Sequence, residues 1–240
     1  MSSTEFDNPL PKVPAEDPPS YHTVSPSVIQ PTAAELEEVG NLLKGVPPGL
    51  EFFAQINQFC VREKFSVSQG WSTRTFDVLN STGQKIYHAV QLNHICGPLI
   101  DLKIKDNSGN DVVDLIENCK CSCDRQMEVR LSQGNPIGYV HLHWNALVTH
   151  ISLLNANKEV VLLIIGPNFN TVIFGSSSFE IKSKDEQHVV GMINHEAEQF
   201  IASFPNDLEV TVKAVVMGAC FYLDTAIQQK RRQMQNRRKN

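Results

Sequence analysis

Five pairs of short β-prone runs, each pair joined by a tight polar turn, occupy the middle of this chain and limit what it can become. Residues 75–80 and 85–90 flank Ser81-Thr-Gly-Gln84, and 99–105 and 111–116 flank Asp106-Asn-Ser-Gly-Asn110. Residues 126–131 and 137–143 flank Ser132-Gln-Gly-Asn-Pro136, and 148–154 and 159–165 flank Asn155-Ala-Asn-Lys158. Residues 179–182 and 188–193 flank Ser183-Lys-Asp-Glu-Gln187. Such runs read as hairpins in series. Many short antiparallel strands must close into a barrel or split into a sandwich, because open edges recruit further strands. After the last hairpin the period changes. Residues 208–228 are apolar nearly all round, which suits a helix buried in a core or in a bilayer. The uncharged stretch 214–223 lies between Lys213 and Asp224. A bilayer span needs roughly 20 apolar residues, so this run fits a core helix better. A β-meander followed by one apolar helix predicts a barrel with the helix threaded through it.

The remainder of the 240 residues divides by composition. Residues 1–44 hold seven of the thirteen prolines and few large apolar side chains, so they are read as a disordered arm. Residues 45–228 form the barrel domain and 229–240 a basic tail. Lys230, Arg231, Arg232, Arg237, Arg238 and Lys239 place +6 in that tail; with a net charge of −5 overall, everything before it sums to −11. An acidic body argues against a broad nucleic-acid surface, whereas the tail suits an anionic membrane surface. A basic run also resembles a nuclear import signal, which leaves a nuclear pool as one alternative, and a solvated extension of the last helix is the plain one. No apolar run follows Met1, so the expectation is a cytosolic body, where a disulfide framework is not expected. No G-x-S-x-G elbow, P-loop, dinucleotide glycine pattern or H-E-x-x-H is present, so neither bond-making chemistry nor a small-molecule substrate is expected.

Seven segments in a fixed order then point to a family. They are Gly45-Val-Pro-Pro-Gly-Leu-Glu51, Asn80-Ser-Thr-Gly-Gln-Lys-Ile-Tyr87, Pro136-Ile-Gly-Tyr-Val140 and Phe179-Glu-Ile-Lys-Ser183. Asp185-Glu-Gln-His-Val-Val-Gly191, Phe204-Pro-Asn-Asp-Leu208 and Lys213-Ala-Val-Val-Met-Gly-Ala-Cys-Phe221 complete the set. In these segments the chain resembles the phospholipid scramblases over about three quarters of its length. The resemblance implies a tubby-like antiparallel β-barrel of about twelve strands around a C-terminal helix. It also implies calcium-dependent, ATP-independent movement of phospholipids between leaflets, at the cytoplasmic face of the plasma membrane, by a protein held there through palmitoylated cysteines.

The resemblance further implies site residues. Its calcium segment falls on residues 196–207, where Glu196, Glu198, Asp207 and Glu209 could supply oxygen ligands. Glutamates replace the family's first two aspartates, and Ile201 replaces its glycine. The plain alternative for the same stretch is a short helix capped by Asn194, with Phe200 packed and Pro205 beyond its end. Cys119, Cys121 and Cys123 match the family's longer cysteine stretch and are candidates for palmitate; two acyl chains anchor stably and one does not. Inert thiols are the plain alternative, and a metal reading with His141 and His143, which share a strand face, is the lesser one, because C-x-C-x-C is not a recognised zinc spacing. Pro18, Pro19 and Tyr21 form a P-P-x-Y element of the kind that WW-domain proteins bind. If the last helix spanned the membrane from an inner N-terminus, the basic tail would lie outside, against the positive-inside rule. A peripheral, lipid-anchored protein is therefore expected. The alternative function is a non-transporting membrane adaptor on the same fold.

Overall fold

The computed structural model describes residues 43–64, 73–92, 98–118, 125–143, 147–172 and 175–237. Their strands are β1 (Gln58–Lys64), β2 (Thr75–Asn80), β3 (Lys85–Gln91), β4 (Ile100–Lys105), β5 (Asp111–Glu117) and β6 (Arg125–Leu131). They continue as β7 (Pro136–His143), β8 (Val148–Asn155), β9 (Val160–Pro167), β10 (Ser177–Ser183), β11 (Val189–Glu196) and β12 (Gln199–Ser203). Each strand pairs antiparallel with its sequence neighbours, and β12 pairs with β1 through Phe59 opposite Ala202, so the sheet closes with no free edge. Two one-turn helices, α1 (Glu51–Ala54) and α2 (Phe169–Val172), sit outside the sheet order. The long helix α3 (Val210–Arg237) runs through the barrel.

All five expected hairpins are present, with strand ends that differ from the sequence reading by no more than three residues. Their turns share one design. Each has a single residue of positive φ, namely Gly83, Gly109, Gly134, Lys158 or Glu186. Each also has a one-residue register shift beside the turn. This is the three-to-five-residue hairpin in which a type I turn ends on a left-handed residue and a bulge. Three of the turns are fixed by an Asx side chain. Asn80, Asp106 and Asn155 each accept two backbone N–H groups on their Oδ1.

Strands β1 and β12 were not legible in the same way. Residues 199–203 form a strand, not the short helix capped by Asn194. Ala197 and Glu198 both have positive φ and make a two-residue turn from β11 to β12. Such turns ordinarily announce themselves through Asn, Asp or Gly, and neither residue here does so. Phe200 is buried as the helix reading required, but it packs as the inward residue of a strand.

The inward rows of the barrel and α3 make one core. Every residue from 212 to 227 is buried, and Phe221 meets Phe76 edge-on at 5.2 Å. Val210, Val212, Val215 and Val216 are indifferent helix formers and Gly218 is a poor one, so burial supports the helix where propensity is weakest. Glycine sets how closely helix and wall approach: a Cβ on Gly138 of β7 would stand 2.4 Å from the Leu154 carbonyl oxygen and 2.5 Å from a Val215 methyl. By composition α3 is long and apolar enough to cross a bilayer, but 89% of its most apolar window is buried inside the barrel. The helix also continues beyond the expected end at residue 228. The tail is helical as far as Arg237, so its described part is an extension of α3 and not a separate segment.

One end of the barrel is sealed. The buried Lys213 Nζ donates to the carbonyls of Phe53 at 2.9 Å, Ile56 at 2.9 Å and Asn206 at 2.7 Å. Burial holds the pKa of this ammonium below the usual lysine range, while Asp207 pulls it upward. Above the lysine, Phe53 stacks on Tyr87, whose hydroxyl donates to the Gly49 carbonyl at 2.7 Å. Replacing Lys213 with Met keeps the volume but leaves three carbonyls without their donor. An unmet buried acceptor costs about 1–3 kcal/mol. With partial relaxation we expect Lys213→Met to lose about 3 kcal/mol in urea denaturation, with strand content unchanged.

Candidate functional site

The two ends of the barrel differ because every strand hairpin with a bulged turn points the same way. The five bulged turns, the link from β12 to α3 and the Lys213 plug occupy the sealed end. The strand ends on either side of the longer connections, the β11–β12 turn and the exit of α3 lie at the opposite mouth.

At the mouth three arginines tie the helix to the barrel rim. Arg74 donates from Nε and Nη2 to Glu63 at 2.7 and 2.8 Å, and its Nη1 pairs with Asp224 of α3 at 2.7 Å. Its guanidinium also lies 4.8 Å from the Phe76 ring centroid. Burial works against the Arg74 charge, but Glu63 and Asp224 more than offset it and lift its pKa above the ordinary arginine range. Burial raises the Asp224 carboxyl, and Arg74 opposes that rise. Arg125 donates from Nε and Nη2 to Glu117, both at 2.9 Å, reaches Gln229 of α3 at 3.3 Å and lies over the Tyr222 ring. Arg231 of α3 donates to Glu198 in the β11–β12 turn at 2.6 Å, and Gln228 donates to the same carboxylate at 3.3 Å. Inside this collar His195 is buried and stacked on Phe200 at 4.5 Å. Burial, reinforced by the Arg231 charge, lowers its pKa and favours the neutral ring.

The expected calcium ligands are not drawn together. Glu196 ends β11 and Glu198 sits in the turn at the mouth, where Arg231 and Gln228 occupy it. Asp207 and Glu209 lie at the sealed end, past β12. Five extended residues span about 17 Å, which separates the two pairs by far more than one ion's coordination sphere. Asp207 acts on Lys213, and the Glu209 side chain accepts from Thr211 at the start of α3. Among the described residues no group of three or more His, Cys, Asp or Glu side chains is placed to hold a metal ion.

Of the tail, Lys230, Arg231, Arg232 and Arg237 lie on the extension of α3, while Arg238 and Lys239 fall outside the described residues. Cys119, Cys121 and Cys123 also fall outside them. The residues on either side, Glu117 and Arg125, are bonded to each other at the mouth. Pro18, Pro19 and Tyr21 lie outside the described residues as well. His141 and His143 do share the outer face of β7, with ring centroids 4.4 Å apart, and His150 of β8 lies 4.8 Å from His143. His143 Nε2 is bonded to Ser152 at 2.7 Å.

Sequence reasoning missed the collar and the lysine plug. The available signal was Lys213 and Asp224 themselves: two charges bracketing an apolar helix destined for a core require buried partners. The collar makes a direct prediction. Removing one partner of a buried ion pair costs about 3–5 kcal/mol, because the other charge is left unpaired. Arg74→Leu should lose that much in chemical denaturation, and adding Asp224→Leu should recover part of it.

Comparisons with known proteins agree with this architecture. The Scramblase family model matches residues 37–229, which includes the whole barrel and α3 beyond its buried stretch. Human phospholipid scramblase 1 is 35% identical over 206 residues, covering 74% of this chain and 65% of its own length. Human phospholipid scramblase 2 is 32% identical over 206 residues, covering 74% and 69%. Human phospholipid scramblase family member 5 is 32% identical over 207 residues, covering 75% and 76%. The chain thus spans just under two thirds of the length of scramblase 1. No solved structure matches.

Proposed function

The chain belongs to the Scramblase family, and from that premise we propose that it acts on phospholipid membranes at the cytoplasmic face of the plasma membrane, as a calcium-responsive, ATP-independent redistributor of phospholipids between leaflets. The observation that carries this reading is the extent of the family match, which takes in the full barrel and the buried stretch of its central helix. Membrane attachment in this reading comes from acylation of Cys119, Cys121 and Cys123 with palmitate and from the basic residues at the end of α3. The P-P-x-Y element at Pro18, Pro19 and Tyr21 would recruit WW-domain proteins.

A physical constraint bears on how lipids would move. The barrier to their exchange is burial of a polar headgroup in hydrocarbon. The barrel interior is filled by α3, so headgroups would cross at a bilayer disturbed by the protein's exterior and not through the barrel. This filled interior, together with the separation of Glu198 from Asp207, favours a second reading: a non-transporting membrane adaptor that keeps the anchors and the WW element.

Lipid exchange in liposomes containing the purified protein, with and without calcium, separates the two. The first reading predicts calcium-dependent exchange that is lost in a Glu196→Ala, Glu198→Ala, Asp207→Ala variant. Absence of exchange, with vesicle binding retained, would replace it with the adaptor reading.

A further inference from the structure

The barrel has two candidate ends for meeting a membrane, and they are chemically unlike. Both expose apolar side chains. At the mouth Leu147 is 83% exposed, Leu99 45% and Val148 39%; at the sealed end Val189 is 56% exposed, Phe52 42% and Val160 38%. Charge distinguishes them. The connections at the sealed end carry −1 over 106–110, −1 over 184–188 and −2 over 204–209, and 81–84, 132–135 and 156–159 are neutral. At the mouth, Lys230, Arg231, Arg232 and Arg237 extend α3 past Ile227, the last fully buried residue of the helix. Arg231 pairs with Glu198. From 228 to 237 the helix advances about 15 Å beyond the core. Lys230 and Met234 on this extension stay partly covered.

Resting on the membrane reading above, we infer that the barrel docks end-on: the mouth faces an anionic lipid surface, with Leu147 and Leu99 entering the interface beside the basic extension of α3, and the sealed end faces away. The arrangement follows from topology. An even number of strands returns the chain to the sealed end before α3 begins, so α3 must leave by the mouth, among the connections that carry Leu99 and Leu147. Basic residues supply attraction, which salt screens; buried leucines supply a salt-insensitive part. The collar serves this geometry by fixing the exit of α3 relative to the rim.

Binding of the full chain to phosphatidylcholine vesicles, with and without phosphatidylserine, tests the orientation. Two double variants are compared with the parent: Leu99→Asp with Leu147→Asp at the mouth, and Val160→Asp with Val189→Asp at the sealed end. Removing buried leucine surface should weaken binding to the phosphatidylserine vesicles at least about tenfold. The sealed-end variant should stay within about twofold of the parent. Leu147→Asp alone, at a side chain this exposed, guards against misfolding and should give about half of the effect on a logarithmic scale. Arg232→Ala with Arg237→Ala should weaken binding and flatten its salt dependence. Equal loss at both ends, or loss only at the sealed end, overturns the end-on inference while leaving membrane association intact. No binding by the parent protein to either vesicle overturns the membrane reading itself, and the inference with it.

Discussion

A helix that is apolar on every side and a closed sheet that would otherwise be hollow complete one another here. α3 has no polar face with which to meet water along residues 214–223, and the inward rows of the twelve strands form one core with this helix, joined at the sealed end by Leu50 and Phe53. The hydrophobic effect therefore acts on both at once, and burial of the helix is inseparable from closure of the sheet. The charged residues in the helix interior fit this picture. Lys213 finds three carbonyls at one end and Asp224 finds Arg74 at the other, so neither charge is left without a partner in the core.

That mutual dependence explains why the fold was largely legible. Hairpins were visible because each tight turn carries its own chemistry: Asn80, Asp106 and Asn155 as turn acceptors, and Gly83, Gly109 and Gly134 at positive φ. The buried helix was visible because 214–223 holds no charge at all. The strand at 199–203 was hidden because Ala197-Glu198 is a turn without turn residues, and its five residues are too few to show a clear alternation. The end of α3 was placed too early because polar, charged residues continue a helix without any apolar period to reveal it.

The candidate site was less legible than the fold, for a related reason. A ligand set read along the chain assumes that residues near in sequence stay near in space. An extended strand defeats that assumption, and β12 carries Glu198 and Asp207 to opposite ends of the barrel. Conversely, the collar joins residues far apart in sequence, Arg74 to Asp224 and Arg125 to Gln229, which no local motif could have announced. Closure with no free edge, a filled interior and a helix clamped at its exit describe a barrel that holds its apolar helix inside.

The central claim is that α3 stays inside the barrel when the protein is on a membrane. Hydrogen exchange along α3 and the strands, compared between the protein in solution and bound to vesicles, tests it most directly. The account predicts strong protection of residues 212–227 and of the inward strands in both states, with changes confined to the mouth. Protection of α3 retained on vesicles while the strands lose theirs would mean that the barrel opens and releases the helix into the bilayer, and would contradict it.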